Sequence, residues 1–490
     1  MRRVILKMLL PCLLAMPMLS AANTHATLET DWWPMFRHNL AHTGYSTSTA
    51  PNTNSILWSY KTRASVWSSP AVAGGKVYVG SNDNNTYCLD ADTGSEIWSF
   101  KTGRNVFSSP AVADRKVYVG SSDDNVYCLD ADTGFEIWSY KTGASVESSS
   151  PAVADGKVYV GSVDFNVYCL DADTGSEIWS YTTGKNVLSS PSVASGRVYV
   201  GSNDNNTYCL DADTGFKIWS YTTGSWVFSS PAVVDGKVYV GSQDSNVYCL
   251  DADTGSEIWS FKTGRNVFSS PAVADRKVYV GSSDDNVYCL DADTGFEIWS
   301  YKTGASVESS SPAVADGKVY VGSVDFNVYC LDADTGSKIW SYMTGNEVLS
   351  SPAVVDGKVY VGSFDGHVYA FGTTTLTRQY RLAITVQPGG SVSYSYAATS
   401  GTVSGGSTVV TYVPAGTSIL LSAQPSSFLY QFNGWTGATM SSNSQVSLNM
   451  DSSMSVESAF GYNCTNIGLI AVIVIAAVLA GFLALRRRKP

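Results

Sequence analysis

Histidine is almost missing from this chain of 490 residues. The four present, His25, His38, His42 and His367, fall at no metal-ligand spacing, so no histidine-based metal centre is written in the sequence. No two of the nine cysteines are adjacent and no CxxCH segment occurs, which excludes a covalently attached c-type haem. Charge is scarce as well, at 15% of residues, and unbalanced: 31 Lys and Arg stand against 42 Asp and Glu, for a net −11. Three of the cations sit at the extreme N-terminus (Arg2, Arg3, Lys7) and four at the extreme C-terminus (Arg486, Arg487, Arg488, Lys489), so the rest of the chain carries −18. Such a body disfavours nucleic acid and anionic membrane surfaces as partners, because both reward a basic patch.

What the chain has in abundance is repetition. The stretch Pro110 to Gly143, PAVADRKVYVGSSDDNVYCLDADTGFEIWSYKTG, recurs with few changes, opening at Pro70, Pro110, Pro151, Pro191, Pro231, Pro271, Pro312 and Pro352, a step of 40 or 41 residues. A fixed period of this length marks an array of one supersecondary unit. Within a copy the apolar pattern has period two and is cut by turn residues, predicting four strands: Ser109 to Ala113, Lys116 to Ser121, Asn125 to Asp130 and Glu136 to Lys141. Asp114-Arg115, Asp123-Asp124-Asn125 and Asp132-Thr133-Gly134 supply tight reversals. So small an antiparallel sheet cannot bury its faces alone, and sheets packed around an axis are the propeller solution. The fourth strand follows a proline-led unit seven times, at Trp98, Trp138, Trp179, Trp219, Trp259, Trp299 and Trp340; the eighth unit ends at Gly372 without it. Its equivalent, Ile56 to Thr62 around Trp58, lies upstream of the first proline. The expected fold is therefore all-β: an eight-bladed β-propeller over 55–373, closed by an N-terminal strand that leaves no open edge.

The (L/F)DA-x-TG-xxx-W core, spaced about a blade apart, resembles the pyrroloquinoline-quinone (PQQ) type propeller repeat of quinoprotein alcohol dehydrogenases and the outer-membrane assembly factor BamB. Trp33-Pro34-Met35-Phe36-Arg37 and His42-Thr43-Gly44, within a leader at 31–54, are similar to the segment that enters such propellers. The resemblance implies a blade-docking role for Trp58, Trp98, Trp138, Trp179, Trp219, Trp259, Trp299 and Trp340. Residues 376–461 form a second, Ser/Thr/Gly/Val-rich region whose Phe432-Asn433-Gly434-Trp435-Thr436-Gly437 element resembles the InlB B-repeat-like domain, a small β module that implies a stalk or spacer, with Trp435 in its core.

The ends read as targeting segments. A basic start, an apolar run to Leu19 and small residues at Ala21, Ala22 or Ala26 predict a signal peptide over 1–26. The uncharged apolar run 467–485, followed by four cations, predicts one C-terminal transmembrane helix with a cytoplasmic tail at 486–490. The expected location is the cell membrane, single-pass with an extracellular N-terminal part, in a prokaryote of archaeal type, as a monomeric propeller. Asn84-Asn85-Thr86, Asn205-Asn206-Thr207 and Asn463-Cys464-Thr465 fit the glycosylation acceptor pattern.

Cysteine and aspartate both invite chemistry that symmetry argues against. Cys88, Cys128, Cys169, Cys209, Cys249, Cys289 and Cys330 hold one position in seven successive blades; equivalent positions point alike rather than at each other, so buried apolar thiols are expected. Asp90-Ala91-Asp92-Thr93-Gly94 and its copies look like half a calcium loop but lack the closing glutamate, and a hairpin turn in which Asp bonds backbone amides is the expected form. The resemblance to quinoprotein dehydrogenases implies a catalytic aspartate, calcium ligands and a disulfide of adjacent cysteines, and the last is lacking here. Residues 87–176 are moreover identical to 248–337, so a stretch of just over two blades recurs four blades on, whereas one catalytic site needs residues that differ around the ring. No catalytic residue, cofactor or metal site is therefore expected.

The segments linking one blade to the next are where copies differ. They place Trp67, Phe107, Glu147, Leu188, Phe228, Phe268, Glu308 and Leu349 at equivalent points, with Arg104, Lys185, Trp226, Arg265 and Glu347 just before. Two readings stand: contact chemistry on a loop rim around the channel, or simple plugging of that channel. Glu147 and Glu308 belong to blades three and seven, opposite in the ring. The expected function is a non-catalytic cell-surface binding or scaffold protein that meets a protein or cell-envelope glycan. The alternatives are a quinone-dependent (PQQ) dehydrogenase or redox sensor, and a BamB-like envelope assembly factor.

Overall fold

In each blade the alternation of the sequence becomes a four-stranded antiparallel meander, and the exposure of its strands follows their distance from the axis. The structure, a computed structural model, describes residues 31–373, 379–396, 399–414, 417–450, 452–467 and 470. Blade two shows the pattern: Ala111–Ala113 lies innermost, then Lys116–Gly120, Asn125–Asp130 and the outer Glu136–Lys141. Val117 and Val119 are fully buried, as is Cys128, because neighbouring blades cover both faces of the middle strands. On the outer strand only Trp138 turns inward to be buried. The first hairpin takes φ of 48° and 61° at Asp114 and Arg115, the doubly positive turn that matches strand twist.

Eight such sheets follow one another, and the innermost strands are neighbours from Ala71–Ala73 round to Ala353–Val355 and back. The last sheet is completed as the count demands: Ile56–Lys61 pairs antiparallel with His367–Gly372, setting Trp58 opposite Ala370 as Trp138 is set opposite Cys128. The seven repeat cysteines are free and buried, and burial pushes each thiol up to about 12.

The blades are fastened to one another by the DADTG turns. Trp98 Nε1 and the Tyr78 hydroxyl both donate to the Ala131 carbonyl of the next blade, each at 3.2 Å, and the same pair of bonds recurs round the ring. Gly134 (φ +72°) lies against that tryptophan so closely that a Cβ would sit 2.6 Å from Trp98 Cδ2. Of the two aspartates in the turn, Asp130 accepts from the Thr133 amide and hydroxyl, while Asp132 pairs with Lys76 of the preceding blade. The repeated acids thus serve turn and seam, where the hairpin reading expects only the turn. The seam between blades seven and eight is different. Blade eight has no DADTG turn, so Trp340 and Tyr320 donate instead to the Pro51 carbonyl of the leader, and Lys318 pairs with Asp316 in its own blade.

The chain divides into two compact units, Met1–Thr373 and Thr374–Pro490. The second holds two four-stranded sheets. One orders Ser407–Pro414, Gln379–Val386, Met454–Tyr462 and Tyr430–Gly437; the other orders Thr399–Ser404, Gly390–Tyr396, Ser418–Pro425 and Gln445–Asn449. Both sheets contribute to one core, which includes Leu382, Ile384, Leu421 and Val456, and Trp435 is buried in it with Nε1 donating to the Asn443 carbonyl.

The expected C-terminal transmembrane helix needs correction. Among the described residues no helix is long and apolar enough to cross a membrane. What is described is an opening turn over 464–467, capped by Asn463, whose side-chain oxygen accepts from the Asn466 amide. The single-pass membrane location falls with that helix. Residues 468, 469 and 471–485 of the expected span, the signal segment 1–26 and the tail 486–490 lie outside the described residues.

Candidate functional site

The links between blades build a funnel on the propeller axis. In each link a valine is anchored first: the Val106 amide donates to the Ser81 carbonyl, and its side chain lies where a Cβ on Gly80 would be, 2.4 Å from Val106 Cγ1. Extended backbone alternates its side chains, so with valine turned into the blade the next residue faces the axis. Trp67, Phe107, Glu147, Leu188, Phe228, Phe268, Glu308 and Leu349 accordingly converge on one cavity of about 430 Å³. Trp67 and Phe107 meet edge to face at 5.3 Å between ring centroids, and Phe228 and Phe268 do so at 5.5 Å on the other side. The other five expected rim residues do not line it. Arg104, Lys185 and Arg265 are exposed; Lys185 Nζ stands 5.9 Å from the ring centroid of Trp226, itself 42% exposed. Glu347 is half-buried and acts on Glu308, whose carboxyl is raised above its ordinary range by burial first and by Glu347 second.

Two features of the funnel have no counterpart in the sequence expectations. The first is its wall, a closed ring of serines. The residue before each blade-opening proline is held extended, and its amide donates to the hydroxyl of the equivalent serine one blade on. The series runs Ser69, Ser109, Ser150, Ser190, Ser230, Ser270, Ser311 and Ser351, and returns to Ser69, at 2.8–3.0 Å throughout. The Ser-Pro pair in every link was the available signal.

The second is the floor, made by the leader. Its carbonyls at Trp33, Pro34, Leu40, Ala41, Thr43 and Gly44 accept from Val72, Val112, Val193, Val233, Val273 and Val314, the central residues of six innermost strands. Plugging is thus done by the leader, with Phe36 lining the funnel at its base. Arg37 is buried and donates to the carbonyls of Pro312 and Pro271; burial lowers its guanidinium to about 9, so it remains charged at neutral pH. Gly44 (φ +63°) leaves room for it, since a Cβ there would lie 2.1 Å from Arg37 Nη2.

His42 gives this plug a pH dependence. Burial first, and the Arg37 cation second, push its imidazole down to about 3. The unfolded chain therefore takes up a proton that the folded one refuses. The stability contributed is complete above pH about 6.5 and is lost as pH falls towards 3. His38, lowered by burial despite Asp31, acts in the same direction. We expect the melting temperature to drop by several degrees between pH 7 and pH 4, and His42→Gln to flatten that slope; an unaltered slope in thermal melts of the variant would refute the assignment.

The resemblance to quinoprotein enzymes implies PQQ and a calcium ion, and the donor set here does not fit them. Both charged residues lining the funnel, Glu147 and Glu308, are carboxylates, the same sign as a quinone bearing three carboxylates. Among the described residues no group of three or more His, Cys, Asp and Glu is placed to hold a metal.

With this geometry in hand, the comparisons with known proteins give the following. A family model described as outer membrane protein assembly factor BamB matches residues 43–151 and 286–414, and one described as the beta-propeller of beta-alanine-activating enzyme matches 112–293. No curated protein matches the chain. Among solved structures, BamB from Moraxella catarrhalis is similar at a TM-score of 0.58 and 19% identity, over 65% of this chain and 99% of that one. A europium-containing methanol dehydrogenase is similar at 0.61 and 17%, over 70% and 98%. Quinohemoprotein alcohol dehydrogenase from Comamonas testosteroni follows at 0.60 and 18%, over 71% and 82%. At these identities the likeness establishes the BamB-like and quinoprotein-like propeller fold, which hosts both a non-enzyme and enzymes.

Proposed function

We propose that this protein is a non-catalytic binding protein whose propeller offers its funnel face to a protein or cell-envelope glycan. One observation carries the reading: eight equivalent link positions, which vary from copy to copy of an otherwise uniform repeat, meet in a single cavity. Residues common to all blades are occupied in packing, as the Trp, Tyr and Asp bonds across each seam illustrate. A quinoprotein reaction finds neither metal ligands nor a cationic cradle for the cofactor in the funnel. A narrower form of the proposal takes the partner to be an envelope protein, on the strength of the BamB family match.

The test is retention of envelope proteins and glycans by the purified chain, compared with Trp67→Ala and Trp226→Ala. Both variants should lose most of the retained material at an unchanged melting temperature. Equal retention by the variants, or alcohol oxidation on adding the quinone and calcium, would overturn the proposal.

A further inference from the structure

The funnel has a two-fold character that its eight-fold scaffold does not require. Because residues 87–176 recur as 248–337, four blades on, Phe107 and Glu147 reappear as Phe268 and Glu308, while Leu188 and Leu349 follow as matching flanking residues. Trp67 corresponds to Phe228 by position. The two glutamate links are also those that carry one extra residue, which adds Ser148 and Ser309 to the lining. The cavity therefore has two carboxylates on opposite blades, four aromatic rings and two leucines from the other links, Phe36 at the base, hydroxyls around the wall, and no Lys or Arg in its lining.

We propose that this funnel binds a small linear diammonium compound, an α,ω-diamine, with one ammonium at Glu147 and the other at Glu308. The inference rests on the binding-protein reading above and names the ligand class of that same cavity.

Three physical requirements select this class. Two carboxylates lining one partly enclosed space have no Lys or Arg beside them in that lining, and a dication placed between them neutralises both. Aromatic faces attract alkylammonium groups and also cover methylenes, so rings and leucines suit the chain between the two charges. A diamine, finally, has the same two-fold symmetry as the residues facing it. Arg37 is not among the residues lining the cavity, and its Nη1 and Nη2 donate to the carbonyls of Pro312 and Pro271. The state of Glu308 is consistent as well. Burial and Glu347 make its ionised form less favourable than in water, and an ammonium at that point would offset both.

The test is calorimetric titration of the full chain with putrescine, cadaverine and spermidine, with butylamine as the single-charge control, at two salt concentrations. A diamine should bind in a 1:1 ratio, and butylamine roughly tenfold or more weaker. Glu147→Gln and Glu308→Gln should each weaken the diamine by about tenfold, since each removes one charge-assisted bond. Both substitutions keep shape, and thermal melts would verify folding. Phe135→Ala, on an exposed turn away from the lining, should leave diamine affinity unchanged. Absence of diamine binding to the folded protein overturns the inference, as does binding that survives the double substitution, which would mark mere attraction to an acidic surface. If diamines fail while envelope material is still retained through Trp67 and Trp226, the inference falls and the proposed function stands; loss of both would sink both.

Discussion

A chain shortened to begin at Thr62 is expected to fail to form a stable propeller at all. The missing strand Ile56–Lys61 is the outer strand of blade eight, and without it His367–Gly372 presents an open edge. Trp58 leaves with it, a buried ring whose Nε1 donates to the Ala91 carbonyl of blade one, and so does Tyr60, packed on Tyr87 at 5.6 Å. Loss of one buried tryptophan costs about 3–5 kcal/mol. The leader departs too, stripping acceptors from six innermost-strand amides and the filler from the seam at Trp340. A buried amide left without a partner costs on the order of 1–3 kcal/mol. Together these are as large as the roughly 5–15 kcal/mol by which a native protein is stable. Circular dichroism and gel filtration would read the outcome as aggregation or loss of cooperative melting. A truncated chain that stays monomeric and melts within a few degrees of the intact one would show that the ring does not depend on this closure.

Gly134→Ala and Gly156→Ala form the second test, because the two glycines share a backbone conformation and differ in surroundings. Their φ values are +72° and +71°. A left-handed conformation costs an alanine about 1–2 kcal/mol at either place. Gly156 has nothing within 4 Å of a Cβ, whereas at Gly134 the new methyl would drive into the Trp98 ring. Blades two and six already carry Arg115 and Arg276 where blade three has Gly156, at φ of 61° and 59°. The DTG glycine, by contrast, is present in all seven copies of its turn. We expect Gly156→Ala to cost about 1 kcal/mol and Gly134→Ala about 3–5 kcal/mol, the excess being the displaced tryptophan. Equal losses in urea denaturation would mean that the tryptophan seam yields easily and that blade docking is not what the glycine protects.

The parts of this molecule that were legible in advance are those written within one period. Alternation predicted the strands, and Asp114-Arg115 and Asp132-Thr133-Gly134 marked the turns. The stray Ile56-Leu57-Trp58-Ser59 segment completed the blade count. Its first strand is shorter than alternation alone implied, Ala111–Ala113 rather than Ser109 to Ala113, because Ser109 is drawn off into the serine ring. Site legibility was uneven for a related reason. Variation between copies flagged thirteen rim positions, but only those directly after the buried valine face the axis; Arg104 and Lys185, three residues earlier, emerge on the outside.

By itself, then, the sequence determined the blade, its number and the closing strand, since each follows from side-chain patterns and turn residues acting over a few positions. Only the tertiary structure decided what closes the channel and what Trp340 leans on, because the groups that do so, the carbonyls of the leader and of Pro51, belong to the backbone and are the same in every residue. The funnel stands between the two. Its chemistry is spelled out in Trp67, Glu147, Phe228 and Glu308, but their meeting around one cavity arises from a ring closed across some three hundred residues of chain.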